Sequence, residues 1–189
     1  MPRSVTEQKS ITQIRLSGFG GQGIILAGLL LGEAGVADGK YVAGSNSYGA
    51  QARGSGCRAE VVFSDRPIDF PHLTKADILV AMSQSTYDQY RGDITADTGL
   101  IVYDASQVIS KEGLPVQQVP IAATESALKV LHSKQVANII LLGALIELTH
   151  VVSPQAVATA MEKHVGERFR RLNMDAFEAG RQLGSRAGG

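Results

Sequence analysis

From Ile14 the chain reads IRLSGFGGQG, an alternating apolar stretch that runs into glycines at 18, 20, 21 and 23. Gly18, Gly20 and Gly23 match G-x-G-x-x-G, and Gly23–Asp38 after them has helical periodicity. The chemistry served by this arrangement is anion binding. Glycine permits a tight turn and close approach of a ligand to the backbone, and the unpaired N–H groups at the helix start then face a phosphate or another anion. Gly21 adds backbone freedom, and Gln22 is a candidate side-chain donor. The pattern alone does not select a ligand. A dinucleotide site requires an acidic residue near the end of the second strand, about 20 residues on. That position holds Gly44-Ser45-Asn46, and Asp38 comes too early. No Gly-Lys-Ser/Thr follows the glycines, which argues against a Walker-type P-loop. A strand-to-helix turn without a ligand is the plain alternative.

The second unusual stretch is GSNSYGAQARGSG, residues 44–56, expected as a long polar loop after a short strand at Tyr41–Ala43. Ser45, Asn46, Ser47, Tyr48 and Arg53 make it rich in donors. Arg53, between Ala52 and Gly54, has room to reach a phosphate or carboxylate. Placed beside the glycine turn at the carboxyl edge of a sheet, this loop would close over an anionic ligand or meet a partner subunit; a solvated surface loop is the plain alternative. Cys57 has no histidine near it in sequence and is expected to be a buried structural thiol. The four histidines (72, 132, 150 and 164) lack metal-ligand spacing. Neither a metal site nor a self-contained catalytic constellation is expected.

These residues need a frame. Strands are predicted at Ile11–Ser17, Arg58–Ser64, Asp77–Met82, Gly99–Tyr103 and Val116–Pro120. Helices are predicted at Gly23–Asp38, with Leu26, Leu29, Leu30 and Val36 near one face and with Gly28, Gly32 and Gly35 suggesting close packing against a sheet or another backbone, and at Thr124–Leu131, Val136–Leu148, Ser153–His164 and Glu167–Leu183. Ser153-Pro154 is a favoured helix start. Strands alternating with helices predict an α/β fold, a Rossmann-like three-layer domain with a mostly parallel sheet and a helix-rich C-terminus. One domain at 11–184 is expected, with a flexible tail at 1–10 and a loose one at 185–189. Formal net charge is zero, with 44% hydrophobic and 19% charged residues. There is no basic field to hold nucleic acid or an anionic membrane. The polar MPRSVTEQKSITQ does not read as a signal peptide, and a cytoplasmic location is expected. A single cysteine makes an intrachain disulfide impossible and cannot hold a four-cysteine iron–sulfur cluster.

GFGGQGIILAG (18–28), SYGAQARGS (47–55), RAEVVFSDRPIDFP (58–71), DILVAMSQ (77–84), NIILLGAL (138–145) and NMDAFEAGRQL (173–183) stand in an order that resembles the gamma subunits of 2-oxoacid:ferredoxin oxidoreductases, most of all the 2-oxoglutarate branch. The resemblance spans residues 11–184. It implies a cytoplasmic hetero-oligomer that oxidatively decarboxylates a 2-oxoacid. Thiamine diphosphate with magnesium and the iron–sulfur clusters would sit on partner subunits. Those partners would be thiamine-binding and oxoacid-binding subunits and a ferredoxin-like subunit, with ferredoxin as electron acceptor. Coenzyme A would be partly bound by this chain. Carried over by position, its contacts would be Gly20, Gly21, Gln22 and Gly23 in the first loop and Ser45, Asn46, Ser47, Tyr48 and Arg53 in the second. Some fused relatives have lysines where this chain has Tyr48 to Arg53, so that Arg53 here would supply the positive charge, with Arg58 beside it. Related subunits for pyruvate, branched-chain oxoacids or indolepyruvate, and a purely structural subunit, are the alternatives.

Overall fold

The computed structural model describes residues 11–48 and 56–188. Its sheet is built outward from β1, Ile11–Phe19, which is buried on both faces from Ile14 to Gly18, as suits a central strand. After α1 (Ile24–Ala37) comes β2 (Tyr41–Tyr48), which pairs with β3 (Gly56–Ser64); β3 pairs in turn with β1. On the other side of β1 lie β4 (Ile78–Ala81), β5 (Leu100–Asp104) and β6 (Gln117–Ile121), all parallel to it. The spatial order is β2-β3-β1-β4-β5-β6. Because β3 is antiparallel to both β1 and β2, it alone runs against the other described strands. The sheet is mostly parallel, and the α/β expectation holds.

The helices form two unequal layers. α2 (Gln84–Tyr90) covers one face, where Tyr87 and Tyr90 pack with Leu79, Ala81, Ile101 and Tyr103. No helix is among those predicted for this stretch; Ser83 starts α2, its Oγ accepting from Thr86 N at 3.4 Å. The other face carries α1, α3 (Ala123–Leu131), α4 (Ala137–Thr149), α5 (Pro154–His164) and α6 (Glu167–Gly188). Ser153 caps α5, accepting from Ala156 N at 3.1 Å and donating from its own Oγ to Asp38 at 2.7 Å. Asp38 thereby ties the end of α1 to the start of α5. Among the described residues no helix is long and apolar enough to cross a membrane.

Three expectations are corrected. The polar stretch from Gly44 is a strand as far as Tyr48 rather than a loop, because Glu60 on β3 receives the Ser45 hydroxyl at 3.1 Å and the backbone is paired along its length. The buried face of α1 is Ile24, Ala27, Gly28, Leu30, Leu31, Ala34 and Gly35, while Leu29 and Val36 are 44% and 61% exposed. Glycine makes the closest contacts with β3, as close packing of the helix requires: a Cβ on Gly28 would lie 2.5 Å from that of Ala59, and one on Gly35 2.2 Å from the Phe63 ring. Finally, α6 is helical through Gly188, so that residues 185–188 extend the helix instead of forming a loose end.

α4 is buried on all sides between the sheet and α6. The two helices touch backbone to backbone. A Cβ on Gly143 would meet Phe177 O at 2.2 Å, one on Gly180 would meet Ile140 O at 2.0 Å, and one on Gly184 would meet Ala144 O at 2.8 Å. Backbone cannot give way as a side chain can. Gly180→Val should therefore destabilise the chain by about 3 kcal/mol, whereas Gly92→Ala, at a site with nothing within 4 Å, should stay within about 0.5 kcal/mol. Urea unfolding followed by circular dichroism checks both, and equal midpoints for the two variants would refute the backbone contact.

Candidate functional site

From β1 the chain crosses through α1 to β2 on one side, and from β3 it crosses to β4 on the other. The boundary between β1 and β4 is thus the point where the winding reverses, and open α/β sheets bind ligands outside the strand carboxyl ends at that point. The glycine turn lies there. Gly21 (φ 96°) and Gly23 (φ 75°) both occupy the left-handed region, which explains glycine at each. Gln22 fastens the turn. Its Oε1 accepts from Phe19 N at 2.6 Å and its Nε2 donates to Met82 O at 3.1 Å, just past the end of β4. Gly18 must be small because a Cβ would lie 2.5 Å from Gln22 Oε1. Gln22 is thus a clamp within the protein before it is a donor to any ligand.

The crevice outside these strand ends holds about 230 Å³. It is lined by Gly21, Gln22 and Met82, by Gln107 beyond β5, by Thr124 at the start of α3, and by Lys134, Gln135 and Ala137 leading into α4. Asp104, fully buried at the end of β5, accepts from the Thr124 backbone N–H at 3.2 Å and so holds α3 to the sheet. Lys134 brings a cation to a wall whose other side chains are uncharged, those of Met82 and Ala137 being apolar. Of the four contacts expected from the first loop, Gly21 and Gln22 line this crevice, while Gly23 lines a neighbouring one. Lys134 and Thr124 escaped the sequence reading, since over 100 residues separate them from the glycines; the available signal was a lysine directly ahead of an apolar helix.

The second group of predicted contacts is split by strand alternation. Register places Tyr48 opposite Cys57 and Cys57 opposite Gly18, so the end of the β2–β3 hairpin is level with the glycine turn with one strand between. Ser45 is committed to Glu60. Asn46 lies in a groove against Gly28, Leu29 and Gly32 of α1. Ser47 and Tyr48 line a separate depression of about 270 Å³ with Arg58, Gln89 and Tyr90. Arg53 falls outside the described residues. Arg58 donates to the Tyr90 hydroxyl at 3.1 Å and lies 3.4 Å from Glu60. The Tyr90 bond, opposed by partial burial and helped by the Glu60 charge, holds its guanidinium above the ordinary range. Glu60 also receives Arg15 Nε at 2.9 Å, and the Arg15 guanidinium sits 4.5 Å over the Tyr90 ring. Cys57 is 5% exposed, and burial pushes its thiol up. Among the described residues no group of three His, Cys, Asp or Glu side chains is placed to hold a metal.

A doubly wound, mostly parallel sheet with a glycine turn at its switch point defines a Rossmann-like α/β domain. Residues 13–183 match the pyruvate ferredoxin/flavodoxin oxidoreductase family, and the chain belongs to that family. It is 42% identical to 2-oxoglutarate synthase subunit KorC of Methanocaldococcus jannaschii, over 90% of this chain and 92% of that one. The gamma subunit of a keto/oxoacid ferredoxin oxidoreductase from Geobacter sulfurreducens superposes with a TM-score of 0.85 at 36% identity, covering 95% of this chain and 99% of that one. The 2-oxoglutarate:ferredoxin oxidoreductase of Magnetococcus marinus, solved with 2-oxoglutarate, coenzyme A and succinyl-CoA bound, gives 0.85 at 26% identity; 95% of this chain matches 32% of that polypeptide. These relatives are oxidoreductases or subunits of them, and the identity with the 2-oxoglutarate synthase subunit exceeds that with either of the two solved structures.

A buried thiol with a raised pKa is a poor nucleophile at neutral pH. Cys57 in the folded chain should react with iodoacetamide at least about tenfold more slowly than a free thiol and reach the free rate in urea. Mass-spectrometric counting of alkylated chains measures this, and equal rates in the two states would contradict the burial.

Proposed function

We propose that this chain is the gamma subunit of a 2-oxoglutarate:ferredoxin oxidoreductase of the cytoplasm, and that it contributes coenzyme A binding and subunit contacts without catalytic residues of its own. The complex takes 2-oxoglutarate, coenzyme A and oxidised ferredoxin to succinyl-CoA, carbon dioxide and reduced ferredoxin, ferredoxin accepting two electrons. Thiamine diphosphate with magnesium supplies the carbanion chemistry from a partner subunit. Iron–sulfur clusters belong to partners as well, since one cysteine cannot ligate them.

The observation that carries the reading is that Lys134 lines the same switch-point crevice as Gly21 and Gln22 of the glycine turn. Coenzyme A is a polyanion, and its pyrophosphate suits a lysine facing backbone N–H groups at a helix start. Gln22 holds those groups in position through Phe19 and Met82. Arg58 on β3 and Ser47 opposite it on β2, close to the level of the turn, offer a second polar surface to a neighbouring subunit or to the far end of the ligand. Nothing in this chain needs to touch the reacting carbon; its residues bind, orient and neutralise charge.

Lys134→Ala in the assembled complex should raise KM for coenzyme A about tenfold, the scale of a lost charge-assisted hydrogen bond. The KM for 2-oxoglutarate and kcat at saturating coenzyme A should stay as they were, and the isolated chain should show no turnover. Steady-state kinetics with ferredoxin reduction as readout provides the test. An unchanged coenzyme A dependence would remove this role for the crevice, and a loss of assembly without a coenzyme A defect would favour a purely structural subunit.

A further inference from the structure

The carbonyl of Gly23 is held from outside its own loop. Gly23 stands at the N-cap of α1 with φ 75° and ψ 22° and, being glycine, supplies no side-chain cap. Its oxygen accepts the first bond of the helix, from Ala27 N at 3.0 Å. It also accepts from Asn138 Nδ2 at 3.0 Å, across 115 residues of sequence. Asn138 lies in the first turn of α4 and is 3% exposed. The contact is tight: a Cβ on Gly23 would lie 2.4 Å from Asn138 Nδ2.

Stability alone does not account for an asparagine at this position. With Nδ2 turned to Gly23, Oδ1 is a buried acceptor that has no hydrogen-bond partner among the described residues. An unpaired buried acceptor is destabilising, and native proteins seldom keep one without a reason. Gly23 O would keep its bond from Ala27 N if the amide were absent. The residues that follow Asn138 in α4, from Ile139 to Leu142, are fully buried hydrophobics. A leucine, branched at the same carbon, would suit that setting better than an amide.

What the amide supplies is direction. The peptide that joins Gly23 to Ile24 is planar and trans, so that its N–H points opposite to its C=O. Fixing the carbonyl against α4 therefore aims the Ile24 N–H out of the start of α1, where the helix itself has no acceptor for it. Glycine at 21 and 23 would otherwise leave this peptide free to turn. Gln22 pins the loop to β1 and to the end of β4, and Asn138 pins it to α4. We infer that Asn138 is a positioning residue: it touches no ligand, and it holds the Gly23–Ile24 peptide in the orientation that receives an anion, leaving its own oxygen unpaired to do so. The inference rests on the coenzyme A reading above and deepens it, from the groups that bind to the group that orients them.

The test uses the assembled complex and two variants. Asn138→Leu keeps the branching of the side chain and removes the amide; Asn138→Ala removes it without adding bulk. Asn138→Leu should raise KM for coenzyme A about fivefold, the scale of one misdirected hydrogen bond, with kcat at saturating coenzyme A unaltered. Its melting temperature should equal or exceed that of the unsubstituted complex. Hydrogen exchange read by mass spectrometry should quicken in residues 18–26 and not in α6. Asn138→Ala should show the same rise in KM and the same local exchange at a lower melting temperature, because it leaves a cavity. A lowered melting temperature with unaltered KM in both variants would make Asn138 a packing residue and overturn the inference, as would failure of both to assemble. If Lys134→Ala raises KM for coenzyme A and neither Asn138 variant does, the positioning role falls while the coenzyme A reading stands. If none of the three moves it, both readings fall together.

Discussion

One side chain, Gln22, joins the pieces on which the candidate site depends. Its carbonyl oxygen takes the last amide of β1 and its amide nitrogen reaches the backbone just beyond β4. The strands it spans are the two at which the winding of the sheet reverses, and the gap above them would otherwise be the least constrained part of the edge. A side-chain amide that satisfies two backbone groups at once replaces the missing ladder bonds there. It also costs the chain a side chain at Gly18, because the amide fills that space. The glycines at 18 and at 21 and 23 thus answer different needs. The first makes room for the clamp, and the other two adopt the left-handed conformation that turns the chain into α1.

The second constraint is electrostatic. Strand β3, reversed relative to its neighbours, carries Glu60 into the middle of the sheet. There it meets Arg15, Arg58 and Ser45, with Tyr90 from α2 against both guanidinium groups. A lone buried carboxylate would be costly, and it is tolerated here because two cations and a hydroxyl surround it. The same network explains how a segment as polar as GSNSY becomes an edge strand: its serine is the hydroxyl that Glu60 takes. The groups predicted to surround a ligand are therefore partly absorbed in holding the sheet together.

What could be read from the residues follows from the range of the interactions. The glycine turn, the capped start of α5 and the strongly apolar α4 are specified within a few residues, and each stands where the sequence predicts. Tyr41–Tyr48 was legible only as far as Ala43, because its partner for hydrogen bonding, Glu60, is 15 residues away from Ser45. The face of α1 is legible in part: its recurring glycines indicate the close packing and Leu30 is buried, but Leu29 and Val36 lie exposed, because large apolar residues mark a buried face only when the neighbouring surface leaves them room. Here Ala59 and Phe63 come so close that glycine must occupy the contact. Lys134 and Asn138 reach the turn through the packing of α4 alone, and no local pattern identifies them.

The glycines between α4 and α6 have a bearing on how the family's sequence record can be read. Gly180, Gly184 and Gly188 repeat every fourth residue along one side of α6, and the first two set how near α4 can lie. α4 in turn carries Asn138, whose amide holds the carbonyl of Gly23 at the base of the turn. Substitutions in the last helix can therefore reposition the first loop without altering any residue of it. Among homologues, a change from glycine to a larger residue at 180 or 184 would mark lineages in which the ligand edge has been re-spaced, even where the G-x-G-x-x-G signature is letter-for-letter the same.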